Sequence, residues 1–257
     1  MSHAPETARM VPDEAAWMEG NRLGGMSVDM SGDLRDRLRL YVITDSHLSR
    51  GRSTEDIVRA AIDGGATAIQ LRAKDLDGLD MYRLAVSIRD ITAAHRALFI
   101  VNDRLDVALA AGADGAHLGQ GDLPLTAAID LVRAATPERD FVLGVSARNL
   151  EQAVLAEKGG ASYIGAGPVW FTPTKPDSAQ PIGPAGLREI CGGVGIPVVA
   201  IGGISIENAR DVTVTGVAGL AVISAVVSAP DVREAARALA AITLRETAGT
   251  HRRPRPE

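Results

Sequence analysis

Eight short runs rich in Val, Ile, Leu, Ala and Gly recur between residues 38 and 224, and each is followed by a longer stretch with apolar residues at helical spacing. They are LRLYVIT (38–44), AIQLR (68–72), LFIVN (98–102), GAHLG (115–119), FVLGVS (141–146), SYIGAG (162–167), IPVVAIGG (196–203) and GLAVIS (219–224). This alternation constrains the fold more than any other feature, because strands joined by helices lie parallel and are covered on both faces. Their nearly continuous apolar interiors fit that burial. Helix boundaries are readable between them. Ser53 precedes TEDIVRAAIDGG with Asp56 three residues on, an approximate capping box, and Gly64–Gly65 closes the segment. NLEQAVLAEKGGA (149–161) and SIENARDVTVTGVAG (205–219) repeat the plan. Eight such units predict an α/β chain folded as a (β/α)8 TIM barrel. The competing arrangement, a doubly wound open sheet, calls for a glycine fingerprint after its first strand, and YVITDSHLSRG (41–51) has none.

Composition sets the outer limits. With 46% hydrophobic and 23% charged residues, the 257-residue chain has ample material for a globular core. A net charge of −5 gives no overall electrostatic case for nucleic acid as a partner. The single cysteine, Cys191, excludes an internal disulfide and fits a reducing cytoplasm. No run of ~18 apolar residues offers a membrane span, and no basic segment followed by an apolar one marks a secretory signal. Residues 1–37 mix Met, Gly, Pro and charges without a sustained period and read as a mobile, disordered extension, with Met26 or Met30 as alternative starts. The barrel domain is expected over residues 38–247 and a disordered tail over 248–257. Oligomeric state is left open.

In a barrel the C-terminal ends of the strands share one rim, where chemistry is done. The residues that close the runs are Thr44 and Asp45, then Gln70, Arg72 and Lys74, then Asn102 and Asp103, then Gln120 and Asp122, then Ser146, and finally Gly202–Gly203 and Ile223–Ser224. Each has a plain alternative. Asn102–Asp103 reads equally as a turn or cap, Asp122 as a helix cap, Arg72 and Lys74 as solvated charges, and His117 as a satisfied core histidine. Taken together they suggest more. Asp103 and Asp122 suit a hard divalent ion that takes its remaining ligands from water and phosphate. Arg72, Lys74 and Lys175 supply charge for a polyanion. Gly203 and the Ile223–Ser224 backbone occupy the usual phosphate position of a barrel. The remaining feature is GPVWFTPTKPD (167–177), where Trp170, Phe171, Thr172, Thr174 and Lys175 share a proline-interrupted loop that is neither helix nor strand.

QLRAKD, VND, HLGQGD, GVSA, GAGPVWFTPTK, AIGGI and VIS, in this order and spacing, closely resemble the thiamine-phosphate synthase family over residues 38–245. The resemblance implies a (β/α)8 barrel enzyme that couples 4-amino-2-methyl-5-(diphosphooxymethyl)pyrimidine to thiazole ethyl phosphate with Mg²⁺. It implies that Gln70, Arg72, Lys74, Asn102, Ser146 and Lys175 contact the pyrimidine diphosphate, with catalysis resting on Arg72, Lys74, Ser146 and Lys175. Asp103 and Asp122 match the metal ligands. Thr172, Thr174, Gly203, Ile223 and Ser224 match the thiazole-phosphate positions. Gly121 stands where an acidic residue is common in the family, and PDSAQPIGPAG (176–186) is richer in Pro than the family pattern. The related thiazole tautomerase and a non-catalytic phosphate-ligand binder on the same scaffold are the alternatives. A tautomerase has no diphosphate to neutralise, so the full set of cations and aspartates favours the synthase.

Overall fold

The computed structural model describes residues 34–172 and 180–247, and each of the eight apolar runs forms a strand within it. The strands are β1 (Leu40–Ile43), β2 (Ala68–Leu71), β3 (Leu98–Asn102), β4 (Gly115–Leu118), β5 (Val142–Ala147), β6 (Tyr163–Ala166), β7 (Val198–Ile201) and β8 (Gly219–Val222). Each runs parallel to the next, and β1 also pairs with β8, so the sheet closes in chain order. The expected TIM barrel is the fold.

Closure gives the strands two different apolar faces. Leu40, Val42, Ile69, Phe99 and Val101 point outward into the layer shared with the helices. Tyr41, Ile43, Ala68, Leu98, Ile100, Val142, Tyr163, Val199 and Ala221 fill the interior. The two sets alternate along each strand, as the period of two requires. Because both sides are apolar, that alternation is invisible as a polarity pattern in the sequence.

The helices that cover the barrel are α2 (Thr54–Asp63), α3 (Gly78–His95), α4 (Leu105–Ala111), α5 (Leu125–Ala135), α6 (Leu150–Lys158), α7 (Gly183–Gly193), α8 (Ala209–Thr213) and α10 (Val232–Thr247), with a single turn, α9 (Ser224–Val227), after β8. The predicted caps are present. Ser53 Oγ accepts from Asp56 N at 3.1 Å, and Asn149 Oδ1 accepts from Gln152 N at 2.9 Å. The segment 205–219 departs from expectation, with only Ala209–Thr213 helical. Its β-branched run Val212–Thr215 is a weak helix former, and the Thr213 and Thr215 hydroxyls bond to carbonyls three residues back. Among the described residues, no helix is long and apolar enough to cross a membrane.

One boundary is corrected. Residues 34–37, expected to belong to the mobile extension, form a helical turn, α1 (Leu34–Arg37). Leu38 N donates to Leu34 O at 3.1 Å, Leu38 is fully buried, and Leu34 packs on the interior cluster. Four residues are too few to show a helical period, so the sequence pattern missed them. The remaining parts of the expected extension and tail, residues 1–33 and 248–257, lie outside the described residues.

Two strand glycines make room for the interior. A Cβ on Gly144 of β5 would run into the Tyr163 ring from β6, and one on Gly165 of β6 would meet His117 Cε1, from β4, at 2.8 Å. Gly144→Ala is therefore expected to lower unfolding free energy by ~1–3 kcal/mol, the usual cost of overpacking. Urea denaturation measures it, and an unchanged midpoint would show that the Tyr163 ring moves aside freely.

Candidate active site

The last inward-facing residue of each strand, or the one just past it, is Ile43, Gln70, Asn102, His117, Ser146, Gly165, Ile201 and Ile223 in strand order. All eight line one cavity of about 250 Å³ at the C-terminal mouth of the barrel. Arg72, Thr172, Gly203 and Ser224 join its wall from the loops. The geometry follows from strand parity: an inward position at a strand's C-terminal end can only face the mouth.

Below the mouth a chain of hydrogen bonds crosses the barrel. Gln70 Nε2 donates to Tyr41 Oη at 2.8 Å, and Tyr41 Oη lies 3.0 Å from Tyr163 Oη. Tyr163 Oη is 2.9 Å from His117 Nδ1, and His117 Nε2 is 2.9 Å from Ser146 Oγ. Residues from β2, β1, β6, β4 and β5 are thus linked, and buried polar atoms that would be costly alone satisfy one another. His117 is satisfied, as its plain reading expects, yet it also lines the cavity. With its amide nitrogen committed to Tyr41, Gln70 has its carbonyl oxygen as the remaining acceptor.

At the rim, Arg72 is held firmly. Its Nη1 donates to Asp45 Oδ2 at 2.6 Å, with side chains only 14% and 8% exposed. Asp45 Oδ1 accepts from His47 N at 3.1 Å, and Thr44 Oγ1 accepts from Arg72 N at 3.0 Å. Among the described residues Arg72 Nε is buried without a partner, so the guanidinium has donor capacity left over. Lys74 lines an adjoining cavity of about 400 Å³ that shares Arg72 and Ser224 with the first. The cavities flank one guanidinium, which suits an extended anion lying between them.

Asp103 and Asp122 sit on the rim between β3 and β4. Asp103 adopts φ +61°, an uncommon left-handed conformation for a non-glycine residue. Its N–H donates to His117 O at 2.9 Å, and Arg104 N closes a tight turn onto Asn102 O at 2.7 Å. Asp122 does not cap a helix, because Pro124 holds the N-cap position of α5. Its Oδ2 instead accepts from Gly119 N at 2.6 Å, folding the loop back on the end of β4. Neither carboxylate lines the main cavity itself. Among the described residues, no group of three or more His, Cys, Asp or Glu is gathered for a metal. Two rim carboxylates fit a hard cation that completes its shell with water and phosphate oxygens.

Of the residues singled out in the sequence, Gln70, Arg72, Asn102, Ser146, Thr172, Gly203, Ile223 and Ser224 meet in the main cavity, and Lys74 in its neighbour. Thr174 and Lys175 lie outside the described residues. Trp170 packs against the core and its N–H donates to Gly202 O at 3.0 Å, whereas Phe171 is 76% exposed. Gly203, at φ +67°, leaves no room for a side chain, since a Cβ would meet Phe171 O at 2.7 Å. Sequence reasoning missed Tyr41, Tyr163 and Arg148 as cavity residues. Arg148 carried a signal, two positions beyond Ser146 and just past the end of β5. The tyrosines carried none within their apolar runs.

The chain is similar in sequence and fold to known proteins. A sequence model described as thiamine monophosphate synthase matches residues 40–226. The thiamine-phosphate synthase of Coprothermobacter proteolyticus is 53% identical over 206 residues, which cover 80% of this chain and 95% of that one. That of Methanospirillum hungatei is 51% identical over 201 residues, covering 78% and 95%. The solved thiamine phosphate pyrophosphorylase from Pyrococcus furiosus superposes with a TM-score of 0.76 at 47% identity, over 83% of this chain and 99% of that one.

The interior chain also makes stability depend on pH. Burial pushes both the Tyr41 and Tyr163 hydroxyls up from their ordinary values. A raised pKa means that the stabilisation is complete below the unfolded value of about 10 and is lost as pH climbs above it. Tyr163→Phe is expected to lower unfolding free energy by ~1–2 kcal/mol at neutral pH by removing the partner of Tyr41 and His117. It should also flatten the alkaline decline. Urea unfolding over a rising pH series tests both, and an alkaline slope equal to wild type would exclude Tyr163 as its source.

Proposed function

The chain belongs to the thiamine monophosphate synthase family and has its transferase activity, forming thiamine phosphate, and we propose that the rim cavity is where the two halves of the product are joined. The substrates in this reading are 4-amino-2-methyl-5-(diphosphooxymethyl)pyrimidine and thiazole ethyl phosphate. The observation that carries it is the convergence of Gln70, Asn102 and Ser146, from three strands, on a cavity rimmed by Arg72.

The aminopyrimidine enters the mouth of the barrel, between apolar walls such as Ile43, Val199 and Ile201. Its amino group donates to the free carbonyl oxygen of Gln70, whose orientation the Tyr41 bond fixes. The diphosphate lies along the rim, where the spare donor capacity of Arg72 and the ammonium group of Lys74 face it; Lys175 is assigned to the same group by the family resemblance alone. The bond between the pyrimidine methylene and the diphosphate oxygen breaks, and its electron pair leaves with pyrophosphate. The electron-rich ring delocalises the resulting cation. The thiazole nitrogen then supplies the pair for the new C–N bond.

Such a reaction asks the protein for leaving-group neutralisation and for a nucleophile already in place, because water would trap the cation. Thr172, Gly203, Ile223 and Ser224 hold the thiazole phosphate, on the side of the rim away from Asp103 and Asp122, and the family resemblance assigns Thr174 to the same phosphate. Asp103 and Asp122 would hold Mg²⁺, which would supply positive charge for the diphosphate. The small-molecule substrates and a cytoplasmic setting belong to this same proposal.

Thiamine phosphate formation, followed by thiochrome fluorescence, tests these roles. Lys175→Ala is expected to lower kcat by ~10²-fold or more while changing KM less, since its charge matters most as pyrophosphate departs. An unchanged kcat removes Lys175 from the mechanism. Asp103→Asn combined with Asp122→Asn should abolish both activity and Mg²⁺ dependence. Near-normal Mg²⁺ activation of that double variant would place the ion elsewhere.

A further inference from the structure

Ile223 and Ser224 form part of the cavity wall, yet they begin an element that has little stability of its own. The helix α9 is a single turn, Ser224–Val227, and a four-residue helix does not persist in isolation. Tertiary contacts must hold it. On one side, Val226 and Val227 are fully buried. At and just past its C-terminal end, one side chain collects the carbonyls of Val227, Ala229 and Pro230.

That side chain is Arg52, 175 to 178 residues away in sequence. Its Nη2 donates to Val227 O at 2.8 Å, and its Nη1 to Ala229 O at 2.8 Å and Pro230 O at 3.4 Å. Its Nε donates to Ser49 O at 2.9 Å. Among the described residues no carboxylate pairs with it, so the guanidinium acts as a hub for backbone carbonyls. Arg52 sits between the turn Ser46–Leu48 and the cap Ser53 of α2. It therefore ties the loop after β1, which carries Asp45, to the loop after β8, which carries Ser224. These loops meet across the β1–β8 pairing that closes the barrel.

We infer that Arg52 is a positioning residue for the thiazole-phosphate end of the site, holding α9 so that Ile223 and Ser224 keep their place in the cavity wall. The inference rests on the proposed assignment of Gly203, Ile223 and Ser224 to that phosphate. Only arginine fills the role, because three carbonyls on one side and a fourth behind need the planar fork of a guanidinium. A lysine at this position keeps the charge but gathers its donors at a single point.

Steady-state kinetics with each substrate varied separately provide the test. Arg52→Lys and Arg52→Gln are expected to raise KM for thiazole ethyl phosphate by ~10-fold, a loss the size of one charge-assisted hydrogen bond. KM for the pyrimidine diphosphate should stay within about two-fold of wild type, since its proposed contacts Gln70, Arg72 and Lys74 are carried by β2 and the loop after it and connect to Arg52 only indirectly, through Asp45. A merely structural arginine would shift both KM values together or lower only the urea midpoint, and either result overturns the inference. Ser224→Ala, measured alongside, tests the underlying assignment. If it leaves KM for thiazole ethyl phosphate unchanged, the subsite assignment fails. If it raises that KM and the Arg52 variants do not, the subsite stands and the role of Arg52 falls.

A second measurement needs no variant. By linkage, a clasp that favours ligand binding must itself be stabilised by the ligand. Exchange of the Arg52 Nε proton, followed by NMR in the wild-type protein, should slow on addition of thiazole ethyl phosphate and not of the pyrimidine diphosphate. Equal exchange with and without thiazole ethyl phosphate contradicts the inference.

Discussion

A strand sends alternate side chains to opposite sides, and in a closed barrel one of those sides is the interior. The site depends on that constraint. It forces the last inward residues of eight strands onto one mouth, whatever their distance in sequence, and in this chain they include Gln70, Asn102, His117 and Ser146. Closure itself requires β1 to find β8, so the rim exists only once the whole chain has folded. The seam where the ends meet is also where Arg52 reaches across to the loop after β8.

The electrostatics of the rim follow from what the barrel can satisfy internally. The buried pair Arg72–Asp45 is braced at both ends, by Thr44 on the arginine backbone and by His47 N on the carboxylate. Such a pair adds little net stability, but removing one partner strands the other, at a cost of ~3–5 kcal/mol. Its use lies in orientation. A guanidinium that is already aligned, with Nε unpartnered, loses little freedom when an anion arrives. In the interior the same economy is reached with neutral groups, where the tyrosine hydroxyls, Gln70, His117 and Ser146 complete one another's hydrogen bonds.

The sequence made the barrel legible because its signal is repetition: eight apolar runs, caps at Ser53 and Asn149, and polar residues where each run stops. Those stops alone assign Gln70, Arg72, Asn102, Ser146 and Ser224 to the rim. Partners that act across the barrel were harder to see. Tyr41 and Tyr163 lie within apolar runs and look like packing residues, and their hydroxyls meet only because Gly144 leaves space for a ring from the next strand. His117 reads as core because its hydrogen-bond partners Tyr163 and Ser146, 46 and 29 positions away, come from other strands. Asp122 could be taken for a helix cap until Pro124 was found in that place. The turn at residues 34–37 is shorter than any periodicity, and its reason to exist, closing the bottom of the barrel with Leu34 and Leu38, is tertiary.

The central claim is that one mouth holds both substrates, with the pyrimidine in the barrel and the diphosphate on the rim. A crystal structure of the protein with thiamine phosphate, pyrophosphate and Mg²⁺ tests it most directly. The account predicts the pyrimidine amino group on Gln70, pyrophosphate against Arg72 and Lys74 with the ion at Asp103 and Asp122, and the thiazole phosphate at Gly203 and Ser224. A pyrimidine ring bound outside the mouth, or pyrophosphate remote from Arg72, would contradict it.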